Sequence, residues 1–494
     1  MNDVDASRMS TRLMVAAIAL AAALARIPFL TYPATIDDGG FYQVAQSWLH
    51  GGPNLYGQYW VDRPPGLIGL FAIAASSGHF VVIRVIGLVA AVVLILCVAR
   101  AARLLGGSPG WAALVAASLT LTPLFNAELV PGELLAGAVT SVAFLAAVEA
   151  RRTTGARALV LAAAAGLVGV AAASVKQNFL DGLVAIAVLL VADALANTGR
   201  WRRGKLLVVL AAGGGVVLGV LALLTVSLLT MPGPGALFDA VVTFRIDARS
   251  VLMDSAGERL DGRAVALWRR SLTSGLLPLA MVLLVAAVMR LRSWTAGGLA
   301  VLAGALVSVI GIVGGGGAWT HYLIGPTVWM ALGAGLAAPR LLTKVAVVAV
   351  VVSCVSAVAV ALGSGPTGQW QDARAIGLAI HRAAQPGDTA LTLYGVADIQ
   401  LYTGLTSPYE YLWSLPMAVR DPEYAELRTV VAGPTAPTWI VQTNGAVFRG
   451  EYRDTLGALV AQRYREVSDS CGSRIWLLRG QWRPIPHRFG CRPA

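Results

Sequence analysis

Two adjacent carboxylates, Asp37 and Asp38, follow directly on the first long apolar run of the chain. Like charges side by side raise one another's pKa, and burial raises it further, so one of the pair can act as a base near neutral pH. Beyond them lie Asp62-Arg63-Pro64-Pro65-Gly66, Arg84, Glu128, Glu133, Lys176 and the His321-Tyr322 pair, each at the edge of an apolar run. Cations at such edges suit a phosphate held at a membrane surface. Every one of these residues also has a plainer reading. The Asp pair can cap a helix starting near Phe41, and Arg63 can hold its loop against Asp62 or Asp37. Arg84 can anchor at the interface, Glu133 can stabilise the start of its own helix, and Lys176 can snorkel to headgroups. His321 can simply donate a hydrogen bond at the end of a span. Residue types alone leave both readings open.

The elements that must position them are membrane helices. The chain of 494 residues is 57% hydrophobic and 13% charged, with a mean hydropathy of +0.70. A soluble protein of this size needs a larger polar surface, so most of the chain belongs in lipid. Charged residues cluster between uncharged stretches long enough for a helix to cross a bilayer. About eleven spans are expected: 12–32, 82–102, 110–127, 133–149, 158–175, 178–193, 206–230, 271–289, 295–314, 320–338 and 344–363. The net charge of +12 comes from Lys and Arg that punctuate apolar runs, so it reads as topology and attraction to membrane lipid, not as a nucleic-acid face.

Basic groups recur at every second connection: Arg8/Arg12, Arg100/Arg103, Arg151/Arg152/Arg157, Arg200/Arg202/Arg203/Lys205, Arg290/Arg292 and Arg340/Lys344. The positive-inside rule puts these ends in the cytoplasm, with the N-terminus inside as an uncleaved anchor and residues 364–494 outside. All the candidate site residues then fall on the outer side, the first of them in a loop over 33–81. Within it, 66–77 is apolar but too short to span and reads as a helix lying in or dipping into the interface.

The outer segment 231–270 breaks the charge rule with Arg245, Arg249, Arg259, Arg263, Arg269 and Arg270. It reads either as a salt-bridged surface helix or as a phosphate-binding segment, Arg245 and Arg249 first. From 364 the pattern changes to amphipathic helices (370–384, near 421–431, 451–463) and strand-like runs (389–394, 438–443, 474–479), a small α/β domain. Cys471 and Cys491 lie there without metal-type spacing, and a disulfide between them fits an oxidising compartment. No dedicated metal-ligand set is visible.

Asp37-Asp38-Gly39-Gly40-Phe41-Tyr42 followed by Val61-Asp62-Arg63-Pro64-Pro65-Gly66 resembles the first outer loop of the GT-C glycosyltransferases. It resembles in particular the broad protein O-mannosyltransferase and lipid A aminoarabinose transferase group, where an acidic pair after the first span precedes a basic-Pro-Pro motif. Arg84 falls where that group has an Ala-Arg-Leu-Pro pattern, with the proline missing here. Glu128 with Pro131-Gly132-Glu133 is similar to its second acidic site, with Glu for Asp. Lys176 matches the lysine of Thr-Lys-Gly-Pro, though Gln177 and Asn178 replace Gly-Pro. His321-Tyr322-Leu323 with Pro326 is similar to the start of a late span.

The resemblance covers about residues 10–340. It implies an all-α GT-C membrane domain over 1–363 and an extracytoplasmic α/β domain over 364–494. It implies an inverting transferase of the cytoplasmic membrane that uses a polyprenyl-phosphate-linked sugar and a cell-envelope acceptor. Asp37 would be the base. Asp38, Arg63, Arg84, Glu128, Glu133, Lys176, Arg245, Arg249, His321 and Tyr322 would bind substrate. A divalent cation stays open, since some members of the fold work without metal. The rival from another class is a transporter or flippase of a lipid-linked sugar, which would place its ionisable residues near the bilayer midplane on broken helices. Here they gather at one side.

Overall fold

The computed structural model describes residues 3–51, 57–254, 257–289, 295–338, 340–443, 453–484 and 491. Sixteen helices precede the C-terminal sheet region: α1 Asp3–Arg26, α2 Ile36–Leu49, α3 Pro65–Ser76, α4 Val81–Leu104, α5 Pro109–Leu121, α6 Gly132–Arg152, α7 Gly155–Val175 and α8 Asp181–Leu195, then α9 Gly199–Thr230, α10 Pro234–Phe238, α11 Phe244–Asp254, α12 Gly257–Thr273, α13 Leu276–Val288, α14 Ala296–Gly314, α15 Thr327–Ala337 and α16 Leu341–Ser364. A π-helical turn, Asp239–Thr243, joins α10 to α11.

The expected count of eleven spans is not reached. Among the described residues seven helices are long and apolar enough to cross a membrane, or eight if α12 and α13, bent by 68° at their junction, form one broken span. The other three expected spans are α5, α8 and α15, of 13, 15 and 11 residues. At a rise of about 1.5 Å per residue none covers the roughly 30 Å of hydrocarbon. Hydropathy could not separate them from true spans: α5 and α15, buried inside the bundle, are apolar on every side, and α8 shows Val184, Val191 and Leu195 to the outside as a lipid-facing helix does. The 66–77 run is indeed a short apolar helix, α3.

The bundle is built around α6, which packs on α4, α7 and α8 and has 72% of its apolar window buried. By contrast α9 shows Leu207, Leu210, Leu218, Leu228 and Leu229 to the outside, as a lipid-facing helix does. At one end of the bundle the basic groups find acids: Arg100 pairs with Glu149 at 2.8 Å, and Arg151 and Lys205 both reach Asp193, at 2.7 and 3.0 Å. The basic pair Arg290/Arg292 lies outside the described residues.

The C-terminal region holds α17 Gly368–Ala383, β1 Ala390–Leu393, α18 Ala397–Thr403, α19 Ser414–Arg420, α20 Ala425–Ala432, β2 Trp439–Thr443, α21 Arg453–Arg463, β3 Tyr464–Ser470 and β4 Ser473–Leu478. The sheet order is β1-β2-β4-β3, with β1 parallel to β2 and the other pairs antiparallel. Leu391, Ile440 and Trp476 face one side of the sheet, over α20 and α21, and Ala390, Trp439, Ile475 and Leu477 face α17 on the other. Cys471 and Cys491 are joined by a disulfide. Three elements of this region, α18, α19 and β3, were not foreseen.

The sheet region is stitched to the first loop. Ser407 N–H donates to the Tyr59 hydroxyl at 2.8 Å, Gln58 donates to Ser407 O at 2.7 Å, and Trp60 N–H donates to Glu410 O at 3.2 Å. On the other flank Arg420 bonds Asp239 at 2.6 Å and lies over the rings of Trp60 and Phe244.

Candidate active site

Asp37 and Asp38 occupy the first turn of α2, and helix geometry gives them different fates. Thr35 is the N-cap: its hydroxyl accepts from Asp38 N–H at 3.2 Å, while the Asp38 carboxylate accepts from Thr35 N–H at 3.4 Å, a capping box. The same carboxylate is paired with Arg84 of α4 at 2.9 Å, and both side chains are sealed from solvent. Arg84 also donates to Pro33 O at 3.0 Å. Burial raises the Asp38 carboxyl above the usual range, and Arg84 and the Thr35 bonds pull it back only in part. Asp37, one residue earlier, stays half-exposed and has no ion pair among the described residues.

Facing Asp37 is a second group of charges drawn from five separate elements. Asp62 bridges Arg63 at 2.7 Å and Arg245 of α11 at 2.5 Å. Its burial would raise the carboxyl, but Arg245 and Arg63 outweigh that and hold it low. Glu133, at the start of α6, is paired with Lys176 at the end of α7, and His321 Nε2 lies 3.6 Å from the same carboxylate oxygen. The ammonium of Lys176 sits 5.1 Å from the Tyr322 ring centre. Loss of solvent lowers the Lys176 ammonium below its ordinary range; Glu133 opposes this, and Arg63 and Arg245 add to it. Desolvation likewise lowers His321, against the pull of Glu133 and Asp37. Gln177 donates to Asp62 O at 3.3 Å, tying the end of α7 to the Arg-Pro-Pro loop.

Most of the residues expected at the site therefore come together: Asp37, Arg63, Glu133, Lys176, Arg245, His321 and Tyr322. Four do not join them, Asp38 among them, since its carboxylate is sealed against Arg84. Arg249, one turn beyond Arg245 on α11, is exposed and pairs with nothing among the described residues. Arg84 is spent on Asp38. Glu128 lies behind Arg84, buried, with one carboxylate oxygen unpartnered. Burial pushes Glu128 up to about 7 against the attraction of Arg26, Arg84 and Arg270. Arg26, missed in the sequence, is buried there as well and clamps the 120–129 turn by donating to Thr120 O, Ala127 O and Leu129 O at 2.5, 2.9 and 2.6 Å. Its only sequence signal was a charge near the end of an apolar run.

Two glycines explain how the C-terminal region reaches the site. A Cβ on Gly39 would lie 2.9 Å from Asp398 Cα, and one on Gly40 would lie 2.1 Å from the Trp413 ring. The pair sits inside α2, where glycine is costly, and its reason is close approach. Asp62 and Glu133 are each engaged by cations, and the one cluster of three donor-type side chains among the described residues, Asp372 with Cys471 and Cys491, contains the disulfide.

The helical bundle capped by a small mixed sheet is an ArnT-like GT-C membrane fold. Its likeness extends over nearly the whole chain to ArnT from Cupriavidus metallidurans bound to undecaprenyl phosphate, with a TM-score of 0.62 and 14% identity, covering 94% of this chain and 97% of that one. The apo state of the same protein matches with a TM-score of 0.56 and 12% identity, covering 95% and 98%. The sequence matches no protein-family model and no curated protein sequence.

Proposed function

We propose that this chain is an inverting glycosyltransferase that moves a monosaccharide from a polyprenyl-phosphate carrier to a cell-envelope glycan, lipid or protein. The observation that carries this is a partly exposed carboxylate, Asp37, facing a cluster of cations at one end of a membrane bundle. The solved protein of the same fold holds undecaprenyl phosphate. The residues 1–363 act as the transferase domain and 364–494 as a second domain.

In this reading Asp37 accepts the proton of the acceptor hydroxyl. The hydroxyl oxygen forms a bond to the anomeric carbon as the carbon–oxygen bond to phosphate breaks, and that electron pair leaves on the phosphate. Attack opposite the leaving group inverts the centre. Lys176, Arg63 and Arg245 receive the leaving phosphate's charge, exchanging part of their pairing with Glu133 and Asp62 for it. Asp38 keeps the first turn of α2 rigid. No step is routed through a metal.

The test incubates purified protein with radiolabelled polyprenyl-phosphate sugars and cell-envelope acceptors. Label should pass to an acceptor with release of one polyprenyl phosphate per sugar. Movement of intact donor across proteoliposomes without bond cleavage would favour the flippase instead. The site belongs on the outer face of the cytoplasmic membrane in this account. A cysteine placed at 423, exposed in the C-terminal region, should then react with an impermeant thiol reagent from outside, and one at 203 should not.

A further inference from the structure

We infer that the C-terminal region seats the proposed catalytic helix, and that Asp398 of α18 is a positioning residue for the Asp37–Asp38 turn. This rests on the glycosyltransferase reading for its link to turnover, but the seat itself is a matter of packing. Helix α18 lies directly on α2. Gln43 donates from one amide to Gly39 O at 2.9 Å and Ala397 O at 2.8 Å, so a single side chain ties the two helices. Ala34 N–H, just before the N-cap of α2, donates to the Tyr402 hydroxyl at 2.7 Å. Gly39 presses on the backbone of Asp398 with no space for a methyl group.

Asp398 is out of contact with solvent, and it is not paired with a cation among the described residues. One oxygen accepts from Ile399 N–H at 3.1 Å and the other has no partner. Burial pushes it up to about 7, and Asp38 across the seam adds to this. The groups facing it are few. Asp38, with Asp37 on the same turn, comes from α2; Arg84, committed to Asp38, comes from α4. Arg374 of α17 acts on Tyr402, the hydroxyl that Asp398 also influences. His381 of α17 is turned to Thr403 O, 3.0 Å away. A neutral Asp398 leaves Arg84 to Asp38. An ionised one adds a carboxylate at the same seam and drives α18 from α2.

The sign follows from the two states. Docked, Asp398 titrates near 7; undocked, near the ordinary 3.8. The docked state thus binds the extra proton, and docking is strongest at low pH, weakens as pH rises from about 4 to about 7, and is level above. A residue that merely stabilises the first turn of its own helix would not tie α2 to pH in this way.

The experiment is hydrogen exchange at a series of pH values on full-length wild type, Asp398→Asn and Gly39→Ala, corrected for the intrinsic rate, with turnover measured alongside. In wild type the amides of 36–45 and 397–403 should lose protection together, by roughly tenfold per pH unit up to about pH 7 and no further above it. Asp398→Asn keeps the shape without the charge and should flatten that curve. It should also remove the fall in kcat between about pH 4 and about pH 7 while leaving the donor KM unchanged. Gly39→Ala keeps every charge but displaces α18, and should exchange fast and turn over slowly at every pH. A flat wild-type curve overturns the inference even if the variants fail to fold, and so does a curve that Asp398→Asn leaves unaltered. Wild-type exchange as described with no sugar transferred from any donor defeats the transferase reading and leaves the seat standing. Transfer with flat exchange does the reverse.

Discussion

Two groups of charges lie within one turn of each other on α2 and behave as opposites. Around Asp38 everything is sealed: its side chain is 5% exposed and that of Arg84 1%, with Glu128 and Arg26 buried behind them. Around Asp37 the rim is open to the surface, with Arg245 at 29%, His321 at 21% and Arg63 at 15%, while Lys176 at 10% and Glu133 at 2% form its floor. Buried pairs have already exchanged water for one another and gain little from a new ligand. Half-open ones can still trade a partner for a phosphate. Adjacent carboxylates of the same type thus divide into one that builds and one that reacts, and the helix N-terminus makes the division by turning them to different sides.

The comparison breaks first if the sealed group is not structural. Arg84→Ala strands the Asp38 carboxylate in a dry site and should cost about 3–5 kcal/mol of stability, measured by denaturant unfolding in detergent. A loss under about 1 kcal/mol would mean that water reaches the pair and that the two groups are alike.

On the open side Lys176→Ala should weaken donor use by about 1.5–3 kcal/mol, the scale of a charge-assisted hydrogen bond. That amounts to roughly ten- to a hundred-fold in donor efficiency. Lys176→Arg should recover part of it, because the charge remains while the planar fork fits a site shaped for a compact ammonium poorly. A snorkelling lysine would accept Arg fully and leave the donor titration unchanged with Ala.

The smallest effect sharpens the boundary of the open group. Arg249 lies one turn beyond Arg245 on the same helix, exposed and without an ion pair among the described residues, so Arg249→Ala should hold donor kinetics within about threefold of wild type while Arg245→Ala does not. Equal losses in the two would extend the phosphate site along α11.

Much of the open group was legible because its members announce themselves as charges at the ends of apolar runs. Asp62-Arg63-Pro64-Pro65, Glu133, Lys176 and His321 each stand out against lipid-like sequence, and a family likeness set them in order. The sealed group was only half legible. Glu128 and Arg84 were visible as charges, but no spacing rule tells that Arg84 faces Asp38 across 46 positions or that Arg26 closes on carbonyls about a hundred residues on. Helix α18 escaped for another reason. Seven residues are too few for periodicity to register, and its role is set by contact with α2. The glycines that make room for it were in plain view, read as part of a motif and not as a cost needing a cause. The overcount of spans came from the same blindness, since apolar sequence does not say whether a helix is wrapped by lipid or by other helices.

The most direct measurement sets the two carboxylates against each other. Asp37→Asn and Asp38→Asn are purified side by side, and kcat, donor KM and unfolding midpoint are recorded for each. Asp37→Asn should fold as wild type, bind donor normally and lose about a hundredfold or more in kcat, the scale of a missing general base. Asp38→Asn should lose stability first and turnover in proportion. Turnover within about threefold of wild type for Asp37→Asn, or a selective loss of kcat at undiminished stability for Asp38→Asn, would contradict this division.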